Sequence, residues 1–393
     1  MSNDSLQQLS NQHILPTYGR YPVAFTKGQG CRLWDADGRE YVDFMSGIGV
    51  TSIGHAHPAW IGAINDQAQK LAHVSNLFHT EPAAMLARRL NAISGMEGVF
   101  FANSGAEANE GLIKVARKYS RDKYGEGRST IITLEGSFHG RTITTLAATG
   151  QDRFHAHFHP FTTGFRHVPP GDMEVLASQG DDVCALLIEP IQGEGGVMPL
   201  DADYVHAAAE LCRKRDWLLL VDEVQTGFGR TGKWFGYQHF DIQPDGLSFA
   251  KGIASGLPLG GFMVSDKLRT TLGPGDHATT YGGNPICCAA ALVVLDILEP
   301  LLPQISENGD YIRGKVEAMA HPAIAGIRGR GLMIGIKIKN HPPAAINSKL
   351  LEAGLAALTA GTDILRLLPP LIIDKNDIDA GLKIMHNVFS ADF

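Results

Sequence analysis

The sequence predicts an α/β fold, a mostly parallel sheet wrapped by helices with a smaller α+β domain beside it. Three observations carry this. Apolar runs at residues 98–102, 130–134, 183–188, 217–221, 246–249 and 261–264 alternate with helical patterns, and a sheet with covering helices needs that alternation. The 45 glycines gather in short turns between those runs, where strand-to-helix loops fall. At 393 residues the chain has room for two or three domains and at least one large core.

In chain order, residues 1–45 hold a polar tail, a Tyr18-Gly-Arg-Tyr-Pro22 turn and two strand-like pieces around Arg32-Leu33-Trp34 and Tyr41-Val42. Alone they bury little, so they are expected to pack with the small domain. Residues 46–294 form the expected large domain. The longest apolar run, residues 286–295, stops at Asp296; it is too short to span a bilayer and reads as a buried helix. Residues 295–393 change pattern: a helix, then 324–338 with glycines at 326, 329, 331 and 335, then an extended stretch at 364–373 interrupted by two prolines. This is the smaller α+β domain. No internal repeat or low-complexity tract is present.

A net charge of −7 with no block of like charges argues against a nucleic-acid partner. The five cysteines are odd in number, include no C-x-x-C, and place Cys287 next to Cys288, so no disulfide framework can be read and a reducing, cytoplasmic setting fits. The amino terminus is polar and has no basic start followed by an apolar stretch, so neither a signal peptide nor a membrane partner is expected.

The chemistry centres on Lys251, in Phe-Ala-Lys251-Gly, and on Asp222, which closes the apolar run Trp217-Leu-Leu-Leu-Val-Asp222. A buried lysine loses part of its charge and can then form a Schiff base with an aldehyde cofactor. An aspartate at the end of a buried strand suits a cation on that cofactor, such as the ring nitrogen of pyridoxal phosphate. At about 3 Å and an effective dielectric of about 20, that attraction is roughly 5 kcal/mol before desolvation, enough to keep the ring protonated.

The turn Asn103-Ser-Gly-Ala-Glu-Ala-Asn109 follows a strand and opens a helix with apolar residues at Leu112, Ile113, Ala116 and Tyr119. Its free N–H groups suit a phosphate, although an ordinary capped helix start has the same signature. Phe138, in Gly136-Ser-Phe-His-Gly-Arg-Thr142, can stack on a planar ring or simply pack in the core. Arg141 in that turn can fork onto a carboxylate or be merely solvated. Two other patterns have weaker claims. Residues 227–233 match G-x-x-x-x-G-K after an acidic strand, as in a nucleotide-binding ATPase, but Trp234 stands where a Ser or Thr should bind Mg²⁺. His155, His157 and His159 alternate, yet Phe, Gly and Pro around them suggest a loop, and no cysteine or clustered carboxylate accompanies them to make a metal site.

With Ser-Gly-Ala-Glu-Ala-Asn, Phe-His-Gly-Arg-Thr, Val-Asp-Glu-Val-Gln-Thr-Gly and Phe-Ala-Lys-Gly in this order, the chain resembles the class III, ω-amino group of pyridoxal phosphate aminotransferases, which have fold type I. The likeness runs from Tyr18-Gly-Arg to Leu365-Arg366-Leu-Leu-Pro-Pro370, nearly the whole chain. It implies that Lys251 carries the Schiff base, that Asp222 meets the pyridine nitrogen, and that Gln225, beside Val224, approaches the phenolic oxygen. It also implies that Phe138 stacks on the ring and that Ser104, Gly105 and Ala106 hold the phosphate. Thr280 would reach the phosphate of the neighbouring subunit of a homodimer, with Thr279 near that subunit's substrate. The substrates implied are an ω-amino donor, placed with the help of Tyr18, and 2-oxoglutarate. Arg141 would hold a carboxylate of either. Arg366 would hold the second carboxylate of glutamate or 2-oxoglutarate, and Glu194 would neutralise Arg366 when the other donor is bound. Ile48 stands where ornithine δ-aminotransferases usually have a tyrosine that helps recognise a free α-amino group, which counts against unmodified ornithine and suits an acylated amine.

Overall fold

A computed structural model describes residues 1–391 and 393 with their side chains and residue 392 as backbone. Its centre is a seven-stranded sheet in the order Gly98–Ala102, Gly260–Val264, Gly246–Phe249, Leu218–Asp222, Val183–Ile188, Thr130–Leu134, Phe165–Val168. All neighbours are parallel except around Gly260–Val264, which runs antiparallel to both strands beside it. Every residue of Val183–Ile188, Leu218–Asp222 and Thr130–Leu134 is buried. Helices must therefore cover both faces, because no side of these strands tolerates water. Full burial of each such Val, Leu or Ile contributes about 1.5–3 kcal/mol, and the run is stable only in this setting.

The helix Gly105–Tyr124 covers the sheet with Leu112, Ile113, Val115 and Ala116. It starts where Ser104 caps it, the hydroxyl accepting from Glu107 N at 3.2 Å, and ends at Gly125, whose φ of 77° few other residues adopt. The helix Pro285–Leu298 runs on through a short 3₁₀ turn into Leu302–Ala318, a stretch long and apolar enough to cross a membrane by length and composition. Its Cys288, Ala291, Val294, Leu295 and Leu298 are instead buried in the protein core.

The carboxyl-terminal part builds an antiparallel sheet from Ile324–Arg330, Met333–Ile338, Ile364–Leu367 and Leu358–Ala360, with the helices Pro343–Ala353 and Lys375–Asp392 packed nearby. The last of these strands to be read from sequence, 364–373, stops at Leu367, before Pro369 and Pro370. The N-terminal strands Phe25–Gln29, Arg32–Asp35 and Glu40–Asp43 join Leu355–Ala356 in a separate sheet. Val42 and Phe44 share one apolar cluster with Ile334, Ile336, Ile378 and Leu382. Residues 3–13, expected as a polar tail, form a helix with no buried residue, joined to the body where Asn3 Oδ1 accepts from Ala24 N at 2.7 Å.

Candidate active site

The strand ends that follow Ala102, Leu134, Ile188, Asp222 and Phe249 lie at one edge of the central sheet, where parallel sheets hold their ligands. The loops leaving them enclose a cavity of about 500 Å³. Ser104, Gly105, Ala106, Phe138, Arg141, Glu194, Asp222, Val224, Gln225 and Lys251 all line it.

Asp222, the last residue of its strand, is 4% exposed. Its Oδ1 accepts from Val224 N at 3.0 Å and its Oδ2 from Asn109 Nδ2 at 2.7 Å, with His139 Nδ1 at 2.8 Å from that same oxygen. These contacts fix the carboxylate toward the cavity. Asn109 and His139 carry no motif signal of their own, although both sit inside the turns at residues 103–109 and 136–142. Glu189 is a further addition: its carboxylate accepts from Phe138 N at 2.9 Å and Gly193 N at 3.3 Å, tying the Phe138 turn to the Glu194 turn. Burial pushes the Glu189 carboxyl up to about 7.

Lys251 begins a 3₁₀ turn with φ of 50°, a left-handed conformation that costs an ordinary side chain about 1–2 kcal/mol. Neighbouring bonds hold it there: Ser52 Oγ donates to Gly252 O at 2.7 Å, and Trp60 Nε1 donates to Ala254 O at 3.1 Å. Burial lowers the Lys251 pKa, Glu194 opposes the shift, and Arg366 adds to it. A larger fraction of this amine is therefore unprotonated and free to act as nucleophile or proton acceptor than in a surface lysine.

At the start of the Gly105–Tyr124 helix, Gly105 and Ala106 line the cavity with first-turn amides that have no intrahelical partner, a ready anion site, while the neighbouring Ser104 hydroxyl donates to Glu107 Oε2 at 3.1 Å. A Cβ on Gly105 would come within 2.8 Å of Val224 Cγ1, so the turn closes only around glycine. Glu107 braces the turn by accepting from Asn103 N at 2.8 Å.

The arginines differ in how they are committed. Arg366, 2% exposed, donates from Nη1 to Glu194 Oε1 at 2.6 Å and to Gln225 Oε1 at 3.3 Å. Burial raises the Glu194 carboxyl, but the charge and hydrogen bond of Arg366 outweigh it and hold Glu194 below its ordinary range. Arg141 lies in the cavity wall with no hydrogen bond or ion pair among the described residues.

Three expected residues lie elsewhere in the single chain. Thr280 is exposed, and Thr279 touches the site only through Asn103, whose Nδ2 donates to its hydroxyl at 3.3 Å. Tyr18, 74% exposed, borders a second cavity with Arg20 and Tyr21. Residues 227–233 do not line the site: Lys233 Nζ donates to Gln238 O at 2.8 Å, and Gly232 is pressed against Ser306, so this loop cradles no phosphate here. His155 forms a bond to Leu146 O at 2.9 Å, and no group of three metal-ligating side chains exists among the described residues.

The family Aminotransferase class-III matches residues 15–389. The chain belongs to the class-III aminotransferases. It is 50% identical to the acetylornithine aminotransferase of Haemophilus ducreyi over 99% of this chain and 100% of that one. It is 45% identical to that of Gloeobacter violaceus over 98% of each. Among solved structures, the ornithine aminotransferase of Toxoplasma gondii superposes with a TM-score of 0.96 at 32% identity, covering 100% of this chain and 96% of that one. The acetylornithine aminotransferase of Elizabethkingia anophelis gives 0.88 at 31%, covering 99% of each. This class-III aminotransferase is a fold-type I, pyridoxal phosphate-dependent enzyme that moves an amino group between a small-molecule donor and a keto acid. The anion site, the buried carboxylate and the lysine around one cavity fit that cofactor's phosphate, ring nitrogen and aldehyde in turn.

Proposed function

We propose that this aminotransferase transfers the terminal amino group of N2-acetylornithine to 2-oxoglutarate, giving N-acetylglutamate 5-semialdehyde and glutamate, a cytoplasmic step of arginine biosynthesis. One observation carries the substrate reading: Arg366 is neutralised by Glu194 at 2.6 Å while Arg141 has no carboxylate partner among the described residues. A site in that state takes a donor with one carboxylate. For glutamate or 2-oxoglutarate, Glu194 turns away and Arg366 accepts the second carboxylate. The exchange never strands the buried guanidinium, whose isolation would cost about 3–5 kcal/mol. Ile48, two residues before the cavity residue Val50, presents no polar group to a free α-amine, which supports an acylated donor. The printed names of the relatives support the same donor.

In this reading Ser104, Gly105 and Ala106 hold the cofactor's phosphate, Phe138 stacks on its ring, Asp222 meets the ring nitrogen beside Val224, and Gln225 approaches the phenolic oxygen. When bound, pyridoxal phosphate supplies a carbonyl for an amine and a ring that takes up the electrons of a breaking C–H bond. Lys251 Nζ would remove the proton from the donor's amine-bearing carbon as a base and deliver it as an acid to a different carbon, the one that was the cofactor's aldehyde carbon, a role its lowered pKa suits. Arg141 orients the donor through its carboxylate so that this proton faces Lys251.

The same reading makes the active unit a homodimer. Leu77, Phe78 and Tyr281 are 89%, 66% and 64% exposed, and Asn76 Nδ2 donates to Gly282 O at 2.9 Å, bringing their two segments together beside Thr280. A partner covering this surface receives Thr279 and Thr280 at its own site, and Tyr18 is a further substrate contact. The chain divides at about residues 45 and 294, the N-terminal segment packing with the small domain.

The test is a donor panel. The kcat/KM for acetylornithine should exceed those for succinylornithine, succinyl-diaminopimelate, ornithine and 4-aminobutyrate, and a higher value for any of these would reassign the donor.

A further inference from the structure

We propose that Phe154 is a positioning residue for Arg141, its ring fixing the guanidinium that takes substrate carboxylates. This rests on the role given to Arg141 above. The Arg141 guanidinium carbon lies 4.0 Å from the centroid of the Phe154 ring, closer than the 5.3 Å to the Phe138 ring. Since Arg141 has no hydrogen bond or ion pair among the described residues, these ring contacts are what orient it. A guanidinium stacked on a ring uses its face and leaves its edge N–H groups free for a bidentate carboxylate. The contact thus presents the fork without occupying it.

Phe154 is itself held against the cofactor-facing turn. It closes the 3₁₀ turn Asp152–Phe154, and its ring meets that of Phe138 edge-on, with centroids 6.0 Å apart at 76°. Gln151 Nε2 donates to Ser137 O at 2.9 Å and Gly136 N donates to Gly150 O at 2.7 Å, so the loop and the turn move as one block. Arg153 Nη2 donates to Gln151 Oε1 at 2.8 Å and sets a second guanidinium 4.6 Å from the Phe154 ring. One phenylalanine therefore links the side chain placed to stack on the cofactor with the cation placed to grip the substrate.

The test compares Phe154→Leu and Phe154→Tyr holoenzymes. Phe154→Leu should raise KM for both the donor and 2-oxoglutarate by about tenfold, with kcat within about twofold, and Phe154→Tyr should restore KM to within about twofold. In an Arg141→Ala background Phe154→Leu should add nothing, because the two changes remove the same interaction. An unchanged KM in Phe154→Leu, an undiminished effect in the Arg141→Ala background, or a loss of kcat and fold that tyrosine does not rescue would each overturn the assignment. If Arg141→Ala left KM unchanged, the reading of Arg141 would fail first. A raised KM there with none in Phe154→Leu would defeat the Phe154 role alone.

Discussion

The Arg366 guanidinium is nearly inaccessible to water, and its compensation comes from Glu194 at 2.6 Å. Removing Glu194 leaves that charge unpaired and permanently available, so its substitution changes preference more than capacity. Glu194→Ala should raise kcat/KM for glutamate and short α-amino acids relative to acetylornithine, with a shift of about tenfold or more from a contact of this kind. Unchanged ratios in steady-state assays with paired donors would remove Glu194 from the mechanism. Much of the site was legible at this scale because Asp222, Ser104 and Lys251 each stand at the end of an apolar run, where chemistry-bearing residues are conspicuous. Asn109, His139 and Glu189 were not. Their contribution is to support Asp222 and Phe138 from segments far away in sequence, and nothing in their local pattern announces the convergence.

Helices around the central sheet have ends that can be perturbed without touching the cavity. Asp201 caps Ala202–Arg215, its Oδ1 accepting from Asp203 N at 2.9 Å and Tyr204 N at 3.1 Å. Asp201→Ala should cost about 1 kcal/mol of stability, read as a shift in the urea unfolding midpoint, with kcat/KM preserved. Loss of activity before loss of stability would mean that this helix couples to the site. The element boundaries show where sequence patterns stop being informative. Residues 261–264 belong to a strand antiparallel to its neighbours, a direction that a fully apolar run cannot reveal because both directions bury the same faces. Phe165–Val168 is an edge strand that places Arg166 and His167 between its apolar ends, so it lacks the continuous run of the central strands. The helix at Asn3–His13 buries nothing and has only two apolar side chains, Leu6 and Leu9, too few to make a core-facing stripe.

At the scale of the whole molecule, His239 joins the loop after the Asp222 strand to the carboxyl-terminal sheet. Its Nδ1 accepts from Arg330 Nη1 at 2.9 Å and its Nε2–H donates to Thr231 O at 3.1 Å, an arrangement that needs the neutral ring. Burial and the charges of Arg330 and Lys233 push its pKa down to about 4. A folded-state pKa below the unfolded value of about 6.5 means that the unfolded chain binds the proton more readily. The contribution of His239 is therefore fully present above about pH 6.5 and lost as pH falls toward about 4. Urea unfolding of His239→Gln should show a flatter dependence on pH across that window than the wild-type protein, and parallel curves would remove His239 from the acid response.

Every other role at the site depends on Lys251 and Asp222 serving one cofactor. Borohydride makes a lysine–cofactor link permanent, so the purified yellow protein should bleach on treatment, and peptide mass analysis should find the cofactor on the peptide containing Lys251. If Lys251 carries the cofactor, Lys251→Ala should abolish both the label and turnover. A label on another lysine, or normal turnover in that variant, would contradict it.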